Sequence, residues 1–335
     1  MPVACQSRGV TEPQREGGGP SLATVDEVTM NLDKIVIEIK QTFPQIEIHE
    51  NEPMKNHCSF RSGGPVRVLA LPQDEASLVS LCTFLHRHGI TPYLLGNGTN
   101  VVFPDDGAEN LFVLSTGAMQ EVSILPGGDL WASAGLPLSR LAAFALEHSL
   151  TGLEFASGIP GSVGGGVLMN AGAYGGELKD VIASVRCLDP ADGTIYEIPA
   201  SACDFGYRRS FFQKGDSIIL GAVFRLSAGN REEIAARMKD LNQRRRDKQP
   251  LDLPSAGSAF RRPEGYFAAV LIEECGLKGT SIGGAQVSEK HAGFIVNTGN
   301  ATSEDLRLLL NLVRDEVYKQ KHILLQPEVI LVGKE

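Results

Sequence analysis

The residues best suited to chemistry lie in four short polar clusters. Gly206-Tyr207-Arg208-Arg209-Ser210-Phe211-Phe212 sets two adjacent arginines among aromatics. Neighbours on an extended chain point to opposite sides, so one arginine can enter a site while the other faces out. The alternative is a surface strand end whose arginines shield Phe211 and Phe212. The stretch PSAGSAFRRPEGYF, residues 254–267, carries Ser258 between Gly257 and Ala259. It is too irregular for a core element and is not the GxSxG of a nucleophile elbow, which leaves proton donor or cap as roles for the serine. Gln326-Pro327-Glu328-Val329 puts a carboxylate at the start of an apolar strand. That placement is costly unless the charge is paired, so Glu328 reads as an acid, a base or an arginine's partner. Gly96-Asn97-Gly98-Thr99-Asn100 is a polar glycine turn, and by itself it need be no more than a connection.

A fifth feature binds rather than reacts. GLEFASGIPGSVGGGVLMNAGAYGGE, Gly152 to Glu177, holds nine glycines and only two charges, Glu154 and Glu177. Small residues let backbone approach a ligand, and consecutive free N–H groups form anion-cradling nests. The stretch suggests a pyrophosphate or another large anionic cofactor. No Lys-Ser or Lys-Thr pair follows it, and the GxGxxG spacing at a strand–helix junction is missing, so it is neither a P-loop nor a dinucleotide fingerprint.

The whole chain sets limits on these readings. Its 335 residues allow two or three domains. A net charge of −9 argues against a nucleic-acid or membrane-surface binder. No apolar run approaches a spanning helix and no signal pattern opens the chain, so a cytoplasmic location is the default. Six scattered cysteines without CxxC read as reduced thiols. No metal-ligand spacing appears, and His86 and His88, two apart on a helical pattern, point away from each other.

The elements that must position the clusters follow from periodicity. Residues 1–29 read as a disordered leader. A short helix is expected over 31–43, a strand over 66–72, an amphipathic helix over 74–88 and a strand over 91–95 that runs into Gly96–Asn100. Short strands then follow to about 225, interrupted by one helix over 137–150. A helix over 230–246 ends in Arg244-Arg245-Arg246. The last segment reads as loop, helix, glycine turn, strand, helix (303–319, opened by a capping box) and strand. This predicts an α+β fold, with units at 30–100, 101–227 and 228–335.

Taken in order, the glycine stretch, GYRRSFF, PSAGSAFRRPEGYF, GGAQVSEKHAGFIVN and QPEVILVG resemble the UDP-N-acetylenolpyruvoylglucosamine reductase family. NEPMKNHCSFRSGGP and LGNGTNVVF fit it too, so the resemblance runs from about residue 45 to the C-terminus. It implies a two-subdomain FAD-binding module of the vanillyl-alcohol-oxidase type and a C-terminal α/β substrate-binding domain. It also implies FAD as cofactor, NADPH as hydride donor, and the enolpyruvyl ether of UDP-N-acetylglucosamine as substrate, in a monomer of the peptidoglycan precursor route. Arg208 and Glu328 match the family's enolate-stabilising pair and Ser258 its proton donor. The expected flavin contacts are Arg61, Gly63, Gly64, Gly96, Asn97, Gly98, Thr99, Asn100, Gly158, Gly161, Ser162, Val163, Gly164, Gly165, Asn170 and Ala171, with Gly161 to Gly166 against the pyrophosphate.

About fifty residues separate Arg208 from Ser258, and a helix fills much of that interval. This resembles the compact subtype, which lacks the inserted tyrosine loop, and it makes Arg244–Arg246 and Lys248 candidates for the substrate diphosphate. Thr99, Cys58, Gly166 and Arg261 stand where the family commonly has serine, threonine, alanine and lysine. Two other readings are a different flavin oxidoreductase, such as a small-alcohol oxidase, and a non-catalytic nucleotide-binding regulator.

Overall fold

The computed structural model describes residues 25–333. Helix α1, Val25–Thr42, begins inside the segment expected to be a leader. The reason is legible in composition, since glycine and proline stop at Pro20 and do not return before Pro44. The remainder of that leader, residues 1–24, lies outside the described residues.

Among the described residues, three sheets of four or five strands build the molecule. In the first, Glu47–Pro53 pairs antiparallel with Pro65–Leu71, which lies parallel to Ala108–Ser115, which is in turn parallel to Tyr93–Leu95. The strands on either side of helix α2, Glu75–Arg87, are therefore parallel but not adjacent, because Ala108–Ser115 sits between them. A boundary after residue 100 would cut through this sheet. A short apolar run such as Phe112-Val113-Leu114 reports that it is buried, not which sheet buries it. Helices α1 and α2 cover one face, and Ile35, Ile39, Leu78, Leu81 and Leu85 are buried there against Val68 and Phe112.

The second sheet is antiparallel, in the order Ile195–Pro199, Ile182–Leu188, Ile218–Phe224, Leu130–Ser133, Val122–Ile124. Helix α3, Leu138–Glu147, and a short helix α4, Val163–Met169, pack on it, with Leu141, Val163, Val167, Ala222 and Phe224 buried together. Helix α5, Arg231–Lys248, is capped by Asn230 and leads into the third unit. There an antiparallel sheet, Ser255–Ser258, Phe294–Asn297, Ala285–Val287 and Ser281–Ile282 in that order, packs against helices α6, Ala268–Glu274, and α7, Ser303–Lys321.

The third unit is laced back onto the first. Ile330–Leu331 pairs in parallel with Val101–Val102. Asn297 Nδ2 donates to the Phe60 carbonyl (2.9 Å), and Ser59 Oγ donates to the Ser255 carbonyl (2.6 Å). Asp105 accepts from Ser303 N, Ser303 Oγ and Glu304 N at the start of α7.

A flavin cavity and its charged rim

The glycine stretch does not fold as an open nest. Residues 163–169 form α4, with Ser162 as its N-cap accepting from Gly165 N. The amides expected to meet a pyrophosphate are already used: Val163 N donates to Leu136 O, Gly164 N to Ala134 O and Gly166 N to Ser162 O. The glycines instead permit close packing. A Cβ at Gly164 would lie 3.0 Å from Ala134 Cβ, and one at Gly166 would lie 2.9 Å from Leu178 Cδ1. Three glycines cost helix propensity, and burial of Val163 and Val167 offsets the loss.

Other expected contacts are also structural. Asn170, buried at the C-cap of α4 with φ +43°, donates to Glu177 Oε2 and Gly206 O and accepts from Lys179 N. Ala171 N closes onto Gly166 O. Gly63 and Gly64 accept from Lys55 and Met54, and a Cβ at Gly158 would meet Asn242 Oδ1. Arg61 is exposed, with φ +59°.

Free donors lie elsewhere. None of the five amides of Gly96–Asn100, and neither amide of Gly161 and Ser162, has an acceptor among the described residues. The two segments face each other, because Asn97 Nδ2 donates to Pro160 O (2.8 Å) and a Cβ at Gly96 would lie 2.2 Å from Ser162 Oγ. Buried or half-buried amides need partners, and a cradle of them suits an anion. Beside the cradle, between the first two sheets, opens a cavity of about 560 Å³, a size typical of cofactor sites. Its lining includes Leu95, Gly96, Thr116, Ala134, Gly164 and Met169. A mostly apolar slot with unsatisfied amides at one side fits a flavin dinucleotide.

The polar clusters meet at the rim. Gly206 and Arg209 exchange backbone hydrogen bonds (2.9 and 3.2 Å), forming a tight turn in which Arg208 takes φ +52°. The left-handed region is costly for a side chain like arginine, and such strain concentrates at functional positions. The turn, rather than strand alternation, separates the two arginines. Arg208 Nε donates to Glu328 Oε1 at 2.6 Å and its Nη2 to Gly172 O at 3.3 Å, while Arg209 turns outward to Asp204. The Arg208 and Glu328 side chains are 19% and 10% exposed, so the pair is largely shielded from solvent and its charges are weakly screened.

Glu328 is pinned on both sides. Its N–H donates to Ala259 O (2.9 Å), and its carbonyl accepts from Asn100 Nδ2 (3.2 Å). The parallel pairing that follows carries the chain along Val101–Val102. Ser258 is the residue before Ala259, on the strand that pairs with Phe294, and its hydroxyl has no partner among the described residues. Beside it, Gly257 (φ +80°) would set a Cβ only 3.7 Å from Thr99 O. Glu177 is near the same place. Burial raises its pKa, but hydrogen bonds from Lys179 and Asn170 and the charges of Lys179 and Arg208 outweigh this and hold it below the ordinary value.

Among the cations at the end of α5, Arg244 pairs with Asp240 and Arg246 with Gln243, whereas Arg245 turns inward without an ion pair among the described residues. Burial lowers its pKa, and the nearby Tyr174 partly offsets this. Tyr174 sits at the tip of the hairpin whose Gly172 touches Arg208. Nothing in the sequence separates Arg245 from its neighbours except helical phase. Among the described residues there is no cluster of His, Cys, Asp and Glu able to hold a metal, and no helix is long and apolar enough to cross a membrane.

The fold, the cavity and the relatives below define an FAD-dependent oxidoreductase: an FAD-binding module with an added C-terminal domain. A family model described as "FAD binding domain" matches residues 66–199, and one described as "UDP-N-acetylenolpyruvoylglucosamine reductase, C-terminal domain" matches residues 249–332. The chain is 46% identical to the UDP-N-acetylenolpyruvoylglucosamine reductase of Caldanaerobacter subterraneus subsp. tengcongensis, over 90% of its own length and 99% of that protein's. It is 45% identical to that of Limosilactobacillus fermentum, over 88% and 97%. The crystal structure of the Thermus caldophilus UDP-N-acetylenolpyruvylglucosamine reductase superposes with a TM-score of 0.73 at 31% identity, covering 85% of this chain and 99% of that one. The chain belongs to the UDP-N-acetylenolpyruvoylglucosamine reductase family.

Proposed function

We propose that this chain reduces the enolpyruvyl ether of UDP-N-acetylglucosamine enolpyruvate to UDP-N-acetylmuramate at the expense of NADPH, as a cytoplasmic monomer in peptidoglycan precursor synthesis. The observation that carries this reading is the shielded Arg208–Glu328 pair at 2.6 Å, locked to the backbone of Ala259, next to Ser258, and to Asn100 of the cradle. Bound FAD would supply the hydride taken from NADPH. Addition of hydride to the vinyl methylene carbon makes a methyl group and moves the electron pair toward the adjacent carbon and its carboxylate. Arg208 meets that charge, and Glu328 takes part by fixing the guanidinium that faces it. Ser258 Oγ gives its proton to the carbon beside the carboxylate and is reprotonated from solvent.

The amides of Gly96–Asn100, Gly161 and Ser162 would hold the FAD pyrophosphate. In this division of labour residues 30–227 serve the cofactor, and 228–335 serve the substrate with Arg245 at its diphosphate. The matched ranges of the two family models support that division.

The test is spectroscopic. The purified protein should be yellow, NADPH should bleach it anaerobically, and the enolpyruvyl UDP-sugar should restore the colour. Bleaching without recovery on that substrate would refute the assignment. Ser258→Ala should still bleach with NADPH but lose turnover by roughly 10²-fold or more, the scale of a positioned proton donor; near-normal turnover would remove Ser258 from the role.

A further inference from the structure

We propose that Arg261 is a flavin-binding residue whose guanidinium stabilises the negative charge on the N1–C2=O edge of reduced FAD. Arg261 lines the cavity, alongside Gly96 and Ile330. Its Nε is buried without a hydrogen-bond partner, and its side chain forms no ion pair or hydrogen bond among the described residues. The other ionisable side chains on the wall, His86, Tyr93 and Asp216, do not pair with it. A half-buried guanidinium with no acceptor is costly, and an anionic ligand in the cavity removes that cost.

The backbone around Arg261 is fixed. Its N–H donates to Gln326 O at 2.8 Å, and Phe260 bridges Pro327. The side chain therefore departs from the two segments that carry Ser258 and Glu328. That is the reducing end of the cavity under the proposed function, on which this inference rests. The ring of FAD, not its pyrophosphate, then faces Arg261, and the free amides of Gly96–Asn100, Gly161 and Ser162 serve the pyrophosphate. Hydride addition puts hydrogen on N5 and leaves the electron pair's charge delocalised over N1 and C2=O. A cation fixed there favours the reduced form and raises the potential.

Sulfite adds reversibly at N5 and places charge on the same edge, so its affinity reads the same electrostatics. In FAD-loaded Arg261→Gln the sulfite Kd should rise about tenfold, and the midpoint potential should fall by the matching ~30 mV of a two-electron couple. Arg261→Lys, which keeps the charge, should stay close to wild type. Unchanged sulfite affinity and potential in the glutamine variant would overturn the proposal. So would weakened FAD retention with both unchanged, which would put the guanidinium on the pyrophosphate. Should the glutamine variant fold poorly, the wild type decides: its dithionite-reduced flavin should remain anionic at N1 below the pH at which free reduced flavin protonates, and protonation at or above that pH refutes the idea. None of these measurements uses NADPH or the UDP-sugar, so their failure is distinct from failure of the Ser258 test.

Discussion

Gly98 carries two constraints at once. Its φ is +60°, and a Cβ there would lie 2.0 Å from the His57 carbonyl oxygen. Gly161 carries neither, since its nearest neighbours to a Cβ are 3.8 Å away. Gly98→Ala should therefore destabilise the protein by about 1–3 kcal/mol and release FAD, read as a fall in the ratio of flavin to protein absorbance. Gly161→Ala should fold normally and lose FAD affinity only if its amide region meets the cofactor. The thiols make a separate residue-scale prediction. Burial pushes Cys58, Cys82 and Cys187 up to about 12 and Cys203 to about 11. Because the thiolate is the reactive form, a disulfide reagent at pH 8 should leave these four untouched until the protein unfolds; rapid native reaction at any of them would contradict their burial.

At the scale of an element, the start of α7 is where the third unit is fastened. Thr302 caps the helix and Asp305 returns the bond, accepting also from Gly284 N. Asp305 is held below its ordinary value, first by the backbone N–H of Thr302 and then, against the opposing effect of burial, by the Gly284 N–H. A carboxylate depressed by folding contributes stability above its unfolded pKa and loses it as pH falls through the folded value. Asp305→Ala should thus cost about 1 kcal/mol at pH 7, the usual worth of a cap, and the gap from wild type should narrow below about pH 4 in urea melts. Asp105→Ala removes three hydrogen bonds that reach α7 from the first sheet's side, with an expected loss of about 1–3 kcal/mol.

For the whole molecule, the cavity depends on how the first two sheets are held. Glu75 at the start of α2 takes a two-pronged bond from Arg186 of the second sheet (3.1 and 2.9 Å). The pair is about a third exposed, so it should contribute under ~1 kcal/mol to stability. Its effect is positional. Glu75→Gln should leave the melting temperature of the apoprotein within a few degrees while weakening FAD binding, measured by flavin fluorescence; unchanged FAD affinity would show that the cavity is set by the shared apolar core alone.

The sequence by itself determined the amphipathic helices, the capping box at Thr302 and the glycine turn at 96–100, because each depends on the types and spacing of a few neighbours. It also carried the family, through the order of several motifs that are weak one by one. The tertiary structure decided which backbone amides remain free. Val163, Gly164 and Gly166 looked available, but a helix and the turn leading into α3 use their N–H groups. It decided that Ala108–Ser115 joins the first sheet, that Arg208 rather than Arg209 meets Glu328 across 120 positions, and that Arg245 and Arg261 are half-buried without an ion pair among the described residues. Hydrogen-bond use and charge pairing depend on what arrives opposite a group, and local composition holds no record of that.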